Sequence, residues 1–147
     1  MYYFAYGSNM NDSRMTKRGV NFTKKLRGTL SGFRLNFNKK SGKSGNGYAN
    51  IEPGDGVVDG VLYETTGEGL RNLDKYEGVK SGHYRRETLK VLTPDGAEVE
   101  AVVYVAVAGM TQEGLKPSQA YLDHLLAGRE FLSEAYYQHL VGWETLE

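Results

Sequence analysis

The first eleven residues, Met1-Tyr-Tyr-Phe-Ala-Tyr-Gly-Ser-Asn-Met-Asn11, constrain the fold more than any other stretch of the chain. Tyr2 to Tyr6 is an uninterrupted aromatic and apolar run. A strand facing solvent on one side would alternate, so a continuous run of this length reads as a buried strand. The run stops at Gly7-Ser8-Asn9. Asn11, Asp12 and Ser13 then supply helix N-cap chemistry, and a short helix over Arg14 to Arg18 ends at Gly19. A strand that feeds such a turn into a helix directs several backbone N–H groups toward one point, where a carboxylate or phosphate would be held. An ordinary capped turn accounts for the same residues equally well.

Composition narrows the function classes. At 147 residues the chain has the length of one domain, with 1–147 expected as a single unit that buries a real core. Lysine plus arginine and aspartate plus glutamate are balanced at 18 each, so no basic field draws the chain to nucleic acid or an anionic membrane. There is no cysteine, which excludes thiol catalysis, disulfides and thiolate metal sites. His83, His124 and His139 lie in different elements without ligand spacing, so neither a metal nor another cofactor is expected. No signal peptide and no membrane-length apolar run is visible, and a soluble, cytoplasmic protein is the expectation.

Further along, Phe22 to Phe37 reads as one or two strands with Gly28 and Gly32 as bulge or bend points. Asn38 to Gly47 reads as a polar surface loop. Its Gly42-Lys43-Ser44 lacks the earlier glycine of a nucleotide P-loop, since Phe37 occupies that position, but the loop's length allows it to border an active site. Tyr48 to Glu52 and Val57 to Tyr63 are predicted strands either side of a strong turn at Pro53-Gly54-Asp55-Gly56. Thr65 or Thr66 caps a helix from about Glu68 to Tyr76. His83 to Leu92 and Ala97 to Val107 form a hairpin around Pro94-Asp95-Gly96. Pro117 and Ser118 open a helix carrying Tyr121, Leu122, Leu125 and Leu126, and Glu130 to Val141 is a last helix. The sum is an α+β domain, a mixed and strongly curved or barrel-like sheet with a few flanking helices.

Glu77 falls at a predicted helix C-terminus, immediately before Gly78. Burial beside tyrosines and the negative end of the helix dipole would both raise its pKa toward the range of a general base. From its spacing alone, a solvated glutamate at a frayed helix end is the better reading. Ser8 lacks the frame of a serine hydrolase and reads as a loop hydrogen-bonder.

Two segments together carry a resemblance. Tyr3-Phe4-Ala5-Tyr6-Gly7-Ser8-Asn9-Met10 resembles the opening signature of the gamma-glutamylcyclotransferase family, whose equivalent loop holds the γ-glutamyl group. Glu77-Gly78-Val79 followed by Gly82-His83-Tyr84, close after Leu73-Asp74, resembles the segment that carries the family's single catalytic glutamate. Tyr48-Ala49-Asn50-Ile51, Pro53-Gly54-Asp55 and Val58-Asp59-Gly60-Val61 are similar to its middle strands. Pro117-Ser118-Gln119-Ala120-Tyr121 is similar to a late helix whose tyrosine faces the substrate. The resemblance implies a barrel-like fold and Glu77 as the catalytic residue. It further implies Tyr3, Phe4, Ala5, Tyr6, Gly7, Ser8, Asn9, Tyr84 and Tyr121 as substrate-binding residues, acting without cofactor on a small γ-glutamyl molecule. A homodimer would suit it. Tyr76 stands where well-known relatives carry glutamine, which leaves the substrate's leaving group open.

The chemistry suits these parts. A γ-glutamyl amide carries its own nucleophile, the α-amino group, which closes a lactam to give 5-oxoproline. The enzyme then needs proximity, one carboxylate to move protons, and donors for an oxyanion, here the N–H groups of Gly7 to Asn9. Alternatives are a related cyclotransferase acting on a γ-glutamylamine, an isopeptide or a biosynthetic γ-glutamyl intermediate, and a non-catalytic small-ligand-binding homologue.

Overall fold

Strand β1, Tyr2–Ala5, is the piece that closes a barrel, as seen in a computed structural model that describes residues 1–146. It pairs antiparallel with β3, Gly47–Glu64, with Ala5 opposite Val61, and parallel with β5, Glu98–Ala106, with Tyr3 opposite Val102. Strand β2, Lys24–Lys40, runs antiparallel to β3 and touches β4, Tyr84–Leu92, at Thr29 and Leu92. Strands β4 and β5 form the expected hairpin. The order around the closed barrel is β1-β3-β2-β4-β5. Helices α1 (Asp12–Lys17), α2 (Gly67–Tyr76), α3 (Gln119–Leu126) and α4 (Glu134–Val141) complete it. The α+β reading with a mixed, barrel-like sheet is therefore the observed architecture.

Each helix begins where the sequence supplies a side-chain cap: Asn11, Thr66, Ser118 and Ser133 each accept a backbone N–H from the first turn. Leu70 and Leu73 of α2, Leu122 and Leu125 of α3, and Leu140 of α4 are fully buried in the hydrophobic core. Closure of the barrel needs two glycines. Gly28 and Gly60 face each other across β2 and β3, and a Cβ on either would come within about 3 Å of the buried Phe4 ring.

Four expectations are corrected. Pro53-Gly54-Asp55-Gly56 does not end a strand. The β2–β3 pairing steps from Ser31↔Val57 to Phe33↔Pro53, so the segment is absorbed as an irregularity opposite Gly32, whose φ of +84° accommodates the kink. The loop predicted over Asn38 to Gly47 is shorter, because β2 continues to Lys40, with Asn38 and Lys39 buried. The single helix predicted from Glu130 is broken. A short 3₁₀ turn at Arg129–Phe131 ends at the extended Leu132, and Ser133 starts α4 afresh. The backbone N–H of Ser133 donates to the buried Asp59 carboxylate at 3.0 Å, fixing the break in place. Gly28, expected as a bulge, is in regular register and serves close packing instead. Among the described residues no helix is long and apolar enough to cross a membrane.

Candidate active site

Beyond the C-terminal end of β1, the chain makes one 3₁₀ turn at Ser8–Met10, held by Met10 N–H to the Gly7 carbonyl (3.0 Å) and Asn11 N–H to the Ser8 carbonyl (3.1 Å). The N–H groups of Gly7, Ser8 and Asn9 donate to no acceptor among the described residues. Gly7 has φ −112°, outside the left-handed region, so its role is close approach. A Cβ there would lie 3.3 Å from Ala49 Cβ and 3.4 Å from the Tyr121 hydroxyl.

Asn9 organises the floor of the site. It is 2% exposed and its carbonyl accepts the Tyr63 hydroxyl at 2.6 Å. Its side-chain amide donates to the Tyr3 hydroxyl (2.9 Å) and to Glu77 Oε1 (3.2 Å), while its side-chain oxygen accepts from Arg18 Nη1 (3.0 Å). The orientation of the amide is thereby fixed from both ends, with nitrogen toward the carboxylate and oxygen toward the guanidinium.

Glu77 is the C-cap of α2, and Gly78, with φ +64°, ends the helix there. The helix end is anchored three residues earlier. Asp74 accepts two hydrogen bonds from Arg86 of β4 (2.8 and 2.7 Å) and one from the Tyr104 hydroxyl of β5 (2.6 Å). The Glu77 side chain is 17% exposed and lies 3.7 Å from Arg18, whose guanidinium covers the Tyr76 ring at 4.9 Å. Burial raises the Glu77 pKa above the ordinary carboxylate value. Arg18, Arg14, the Asn9 hydrogen bond and Lys39 oppose this without cancelling it.

Glu77 and the Gly7–Asn9 turn share a cavity of about 580 Å³. Glu77 is its one carboxylate among the described lining residues. Tyr3, Phe4, Tyr6, Gly7, Ser8, Asn9, Tyr84 and Tyr121 also line it, whereas Ala5 does not and lies in the core against Gly60. The tyrosines divide by what their hydroxyls do. Tyr6 and Tyr84 donate to the Tyr104 and Ala49 carbonyls. Tyr121 accepts from Ala49 N–H at 3.1 Å and Tyr3 accepts from Asn9, so each of these two retains a hydrogen for a ligand. Burial pushes Tyr121 up to about 12 and Tyr3 well above its ordinary value, so both remain protonated donors. Ser8, read from sequence as a loop hydrogen-bonder, lines the cavity and its hydroxyl bonds no described residue.

Arg14, Arg18 and His124 line the cavity without having had a part in the sequence reading of the site, and Lys39 comes from the Asn38 to Gly47 stretch expected to border it. Arg14 and Arg18 are four apart at the start and end of α1, a spacing that puts both on one helix face and was available in the sequence. His124 has Asn11 Nδ2 3.0 Å from its Nδ1 and Arg14 Nη1 3.3 Å from its Nε2. Because Asn11 uses its oxygen to cap α1, its nitrogen must donate to the ring. Nε2 of the neutral ring then carries the hydrogen and gives Arg14 no acceptor. Burial, Arg14 and Arg18 all lower the His124 pKa and favour that neutral ring. Arg14 Nε is buried without any partner among the described residues.

A sequence model of the AIG2-like family matches residues 57–140. The human protein named gamma-glutamylcyclotransferase is 35% identical over 132 residues, spanning 86% of this chain and 68% of its own. The chain belongs to the gamma-glutamylcyclotransferase family. A Bacillus subtilis member, named putative gamma-glutamylcyclotransferase YkqA, is 31% identical over 95% of this chain, which corresponds to half of that longer protein. A solved structure titled gamma-glutamyl cyclotransferase superposes with a TM-score of 0.87 at 29% identity, covering 100% of this chain and 89% of its own. The closed barrel and its helices are thus the family's fold.

Proposed function

We propose that the protein converts a γ-glutamyl amide or γ-glutamyl amino acid into 5-oxoproline and the free amine or amino acid, with Glu77 as the catalytic base and acid. The observation that carries this reading is the Asn9 bridge. One side chain joins the cavity's single described carboxylate to a turn whose three successive N–H groups are unpaired. The family membership supports the same reaction class.

In this mechanism the substrate folds so that its α-amino nitrogen meets its own γ-carbonyl carbon. Glu77, ionised but with an elevated pKa, takes a proton from the α-ammonium. The amine lone pair forms the new C–N bond, and the carbonyl electron pair moves onto oxygen. The N–H groups of Gly7, Ser8 and Asn9 hold that oxyanion, with the Tyr3 or Tyr121 hydroxyl as a further donor. Collapse of the intermediate breaks the old C–N bond as Glu77 returns the proton to the departing nitrogen, and the ionised Glu77 then takes the second proton from the lactam nitrogen, leaving neutral 5-oxoproline and passing that proton to the free amine. Arg14, with its unpartnered Nε, supplies the positive charge for the glutamyl α-carboxylate. Arg18 positions Glu77 and limits how far its pKa rises. The Ala5 side chain takes no part in this scheme; its strand carries the turn.

Glu77→Gln tests the reading. The variant should fold and lose at least the ~10²-fold of turnover that a general base supplies. Near-normal 5-oxoproline production by the folded variant would remove Glu77 from the mechanism.

A further inference from the structure

Lys39 is a buried ammonium without a carboxylate. It is 3% exposed, yet it lines the active-site cavity. Its Nζ donates to the Lys40 carbonyl at 2.5 Å and lies 5.4 Å and 5.9 Å from the ring centres of Tyr84 and Tyr48. It forms no ion pair among the described residues. Lysine is seldom buried unless it is paired, because removing the charge from water costs several kcal/mol, about what a buried ion pair must recover. Burial accordingly lowers its pKa, with the charge of Glu77 acting in the other direction.

The backbone goes out of its way to put Lys39 there. Asn36 pairs with Asn50, but Lys39 pairs with Tyr48, so Phe37 and Asn38 together oppose Ala49. A bulge of this kind re-aims the next side chain. Its polar groups are satisfied by Asn36 Oδ1 accepting from Phe37 N–H (2.8 Å), Asn50 Nδ2 donating to Asn38 Oδ1 (3.2 Å), and Gln112 N–H donating to the Asn38 carbonyl (2.9 Å). The loop after β2 adds Lys43 to the same cavity lining.

The charges in the cavity define what is missing. Glu77 is matched by Arg18. Arg14, beside α3, and Lys39, on the wall formed by β2, β3 and β4, have no carboxylate, whereas Lys40 and Lys43 are exposed and keep their charge in water. A γ-glutamylamine brings one carboxylate and leaves one of these cations unmatched. A γ-glutamyl compound whose leaving amine also bears a carboxylate brings two. Arg14 follows the Gly7–Asn9 turn directly on α1 and is the nearer in chain to the glutamyl half. Building on the cyclotransferase reading, we propose that Lys39 is the specificity-determining residue of the leaving-group subsite, where its ammonium receives a carboxylate carried by the departing amino acid.

The test compares γ-glutamyl-L-alanine with γ-glutamyl-L-alaninamide, which differ only in the charge of the leaving group. Wild type, Lys39→Met and Lys39→Arg are assayed for 5-oxoproline, with thermal melting as the check on folding. Wild type should favour the acid, and Lys39→Met should lose roughly thirtyfold or more in kcat/KM on it, the low end for losing one partner of a buried charge pair. The same variant should lose far less on the amide, with both substrates compared at one pH above the acid limb because removing Lys39 also lets the Glu77 pKa rise, and Lys39→Arg should retain the preference. Lys39→Met should also melt no lower than wild type, since an uncompensated buried charge has been removed. Equal losses on both substrates would overturn the assignment and move Lys39 to the glutamyl half. A wild-type enzyme indifferent to the carboxylate would overturn it too. No 5-oxoproline from either substrate would overturn this inference, and the cyclotransferase reading falls with it only if other γ-glutamyl amides and amines also yield none.

Discussion

Asn9→Ala separates the network that positions Glu77 from the carboxylate itself. The substitution deletes three side-chain hydrogen bonds, to Tyr3, Glu77 and Arg18, at 2.9, 3.2 and 3.0 Å. Two of these partners are charged, and such bonds contribute about 1.5–3 kcal/mol each when fully buried. The cavity admits water to Glu77 and Arg18, so the net loss falls to about 2 kcal/mol. For a chain of this size that is a drop in Tm of roughly 4–8 °C. The distinctive consequence lies in pH. Asn9 donates to the ionised carboxylate and so lowers the Glu77 pKa against the upward push of burial. Without that bond the pKa rises further, and the acid limb of kcat/KM moves to higher pH. The assay is the pH profile of 5-oxoproline formation by wild type and variant, measured where both are folded. An acid limb that stays in place while Tm falls would refute the reasoning, since it would mean that Asn9 supports the fold without tuning the base.

The Glu77→Gln variant carries a stability prediction as well. A raised folded-state pKa means that the carboxyl contributes stability below its unfolded pKa and loses it as pH rises through the folded value. Glu77→Gln should therefore melt at or above wild type near neutral pH, with the advantage disappearing in acid; a variant that melts clearly lower at pH 7 would contradict the balance of burial against Arg18. Gly60→Ala should destabilise by at least the ~1–3 kcal/mol of an overpacked core, because its Cβ would meet the Ala5 carbonyl oxygen and the Phe4 ring at 2.9 Å. Since β1 must shift to admit it, kcat/KM should fall with Tm, and a wild-type Tm would show that the barrel closes less tightly than described.

Much of the architecture was legible in local chemistry. The aromatic run at Tyr2 to Tyr6, the hairpin around Pro94-Asp95-Gly96 and the caps at Asn11, Thr66 and Ser118 carry their own signals, and each stands where those signals put it. Pro53-Gly54-Asp55-Gly56 misled because the same residues serve a hairpin or a kinked strand, and pairing with a distant strand decides between them. Lys39 was hidden for a related reason. Its burial depends on the bulge at Phe37 and Asn38, and which face a side chain takes after a bulge is fixed by register rather than by composition. Glu77 was ambiguous by spacing. Its burial comes from Arg18, Asn9 and Tyr76, which the barrel brings together from two separate parts of the chain. The i, i+4 pair of Arg14 and Arg18 was readable, but nothing local distinguishes it from an exposed basic face.

The central claim is that the substrate's own α-amine is the nucleophile, assisted by one glutamate and a turn of backbone N–H groups. Matched free and N-acetylated γ-glutamyl substrates test it most directly, with the acid product identified by mass. The account predicts 5-oxoproline from the free amine and no release of the leaving group from the acetylated compound. Release of N-acetylglutamate at a comparable rate would contradict it, because a water molecule would then be doing what the amine is held to do.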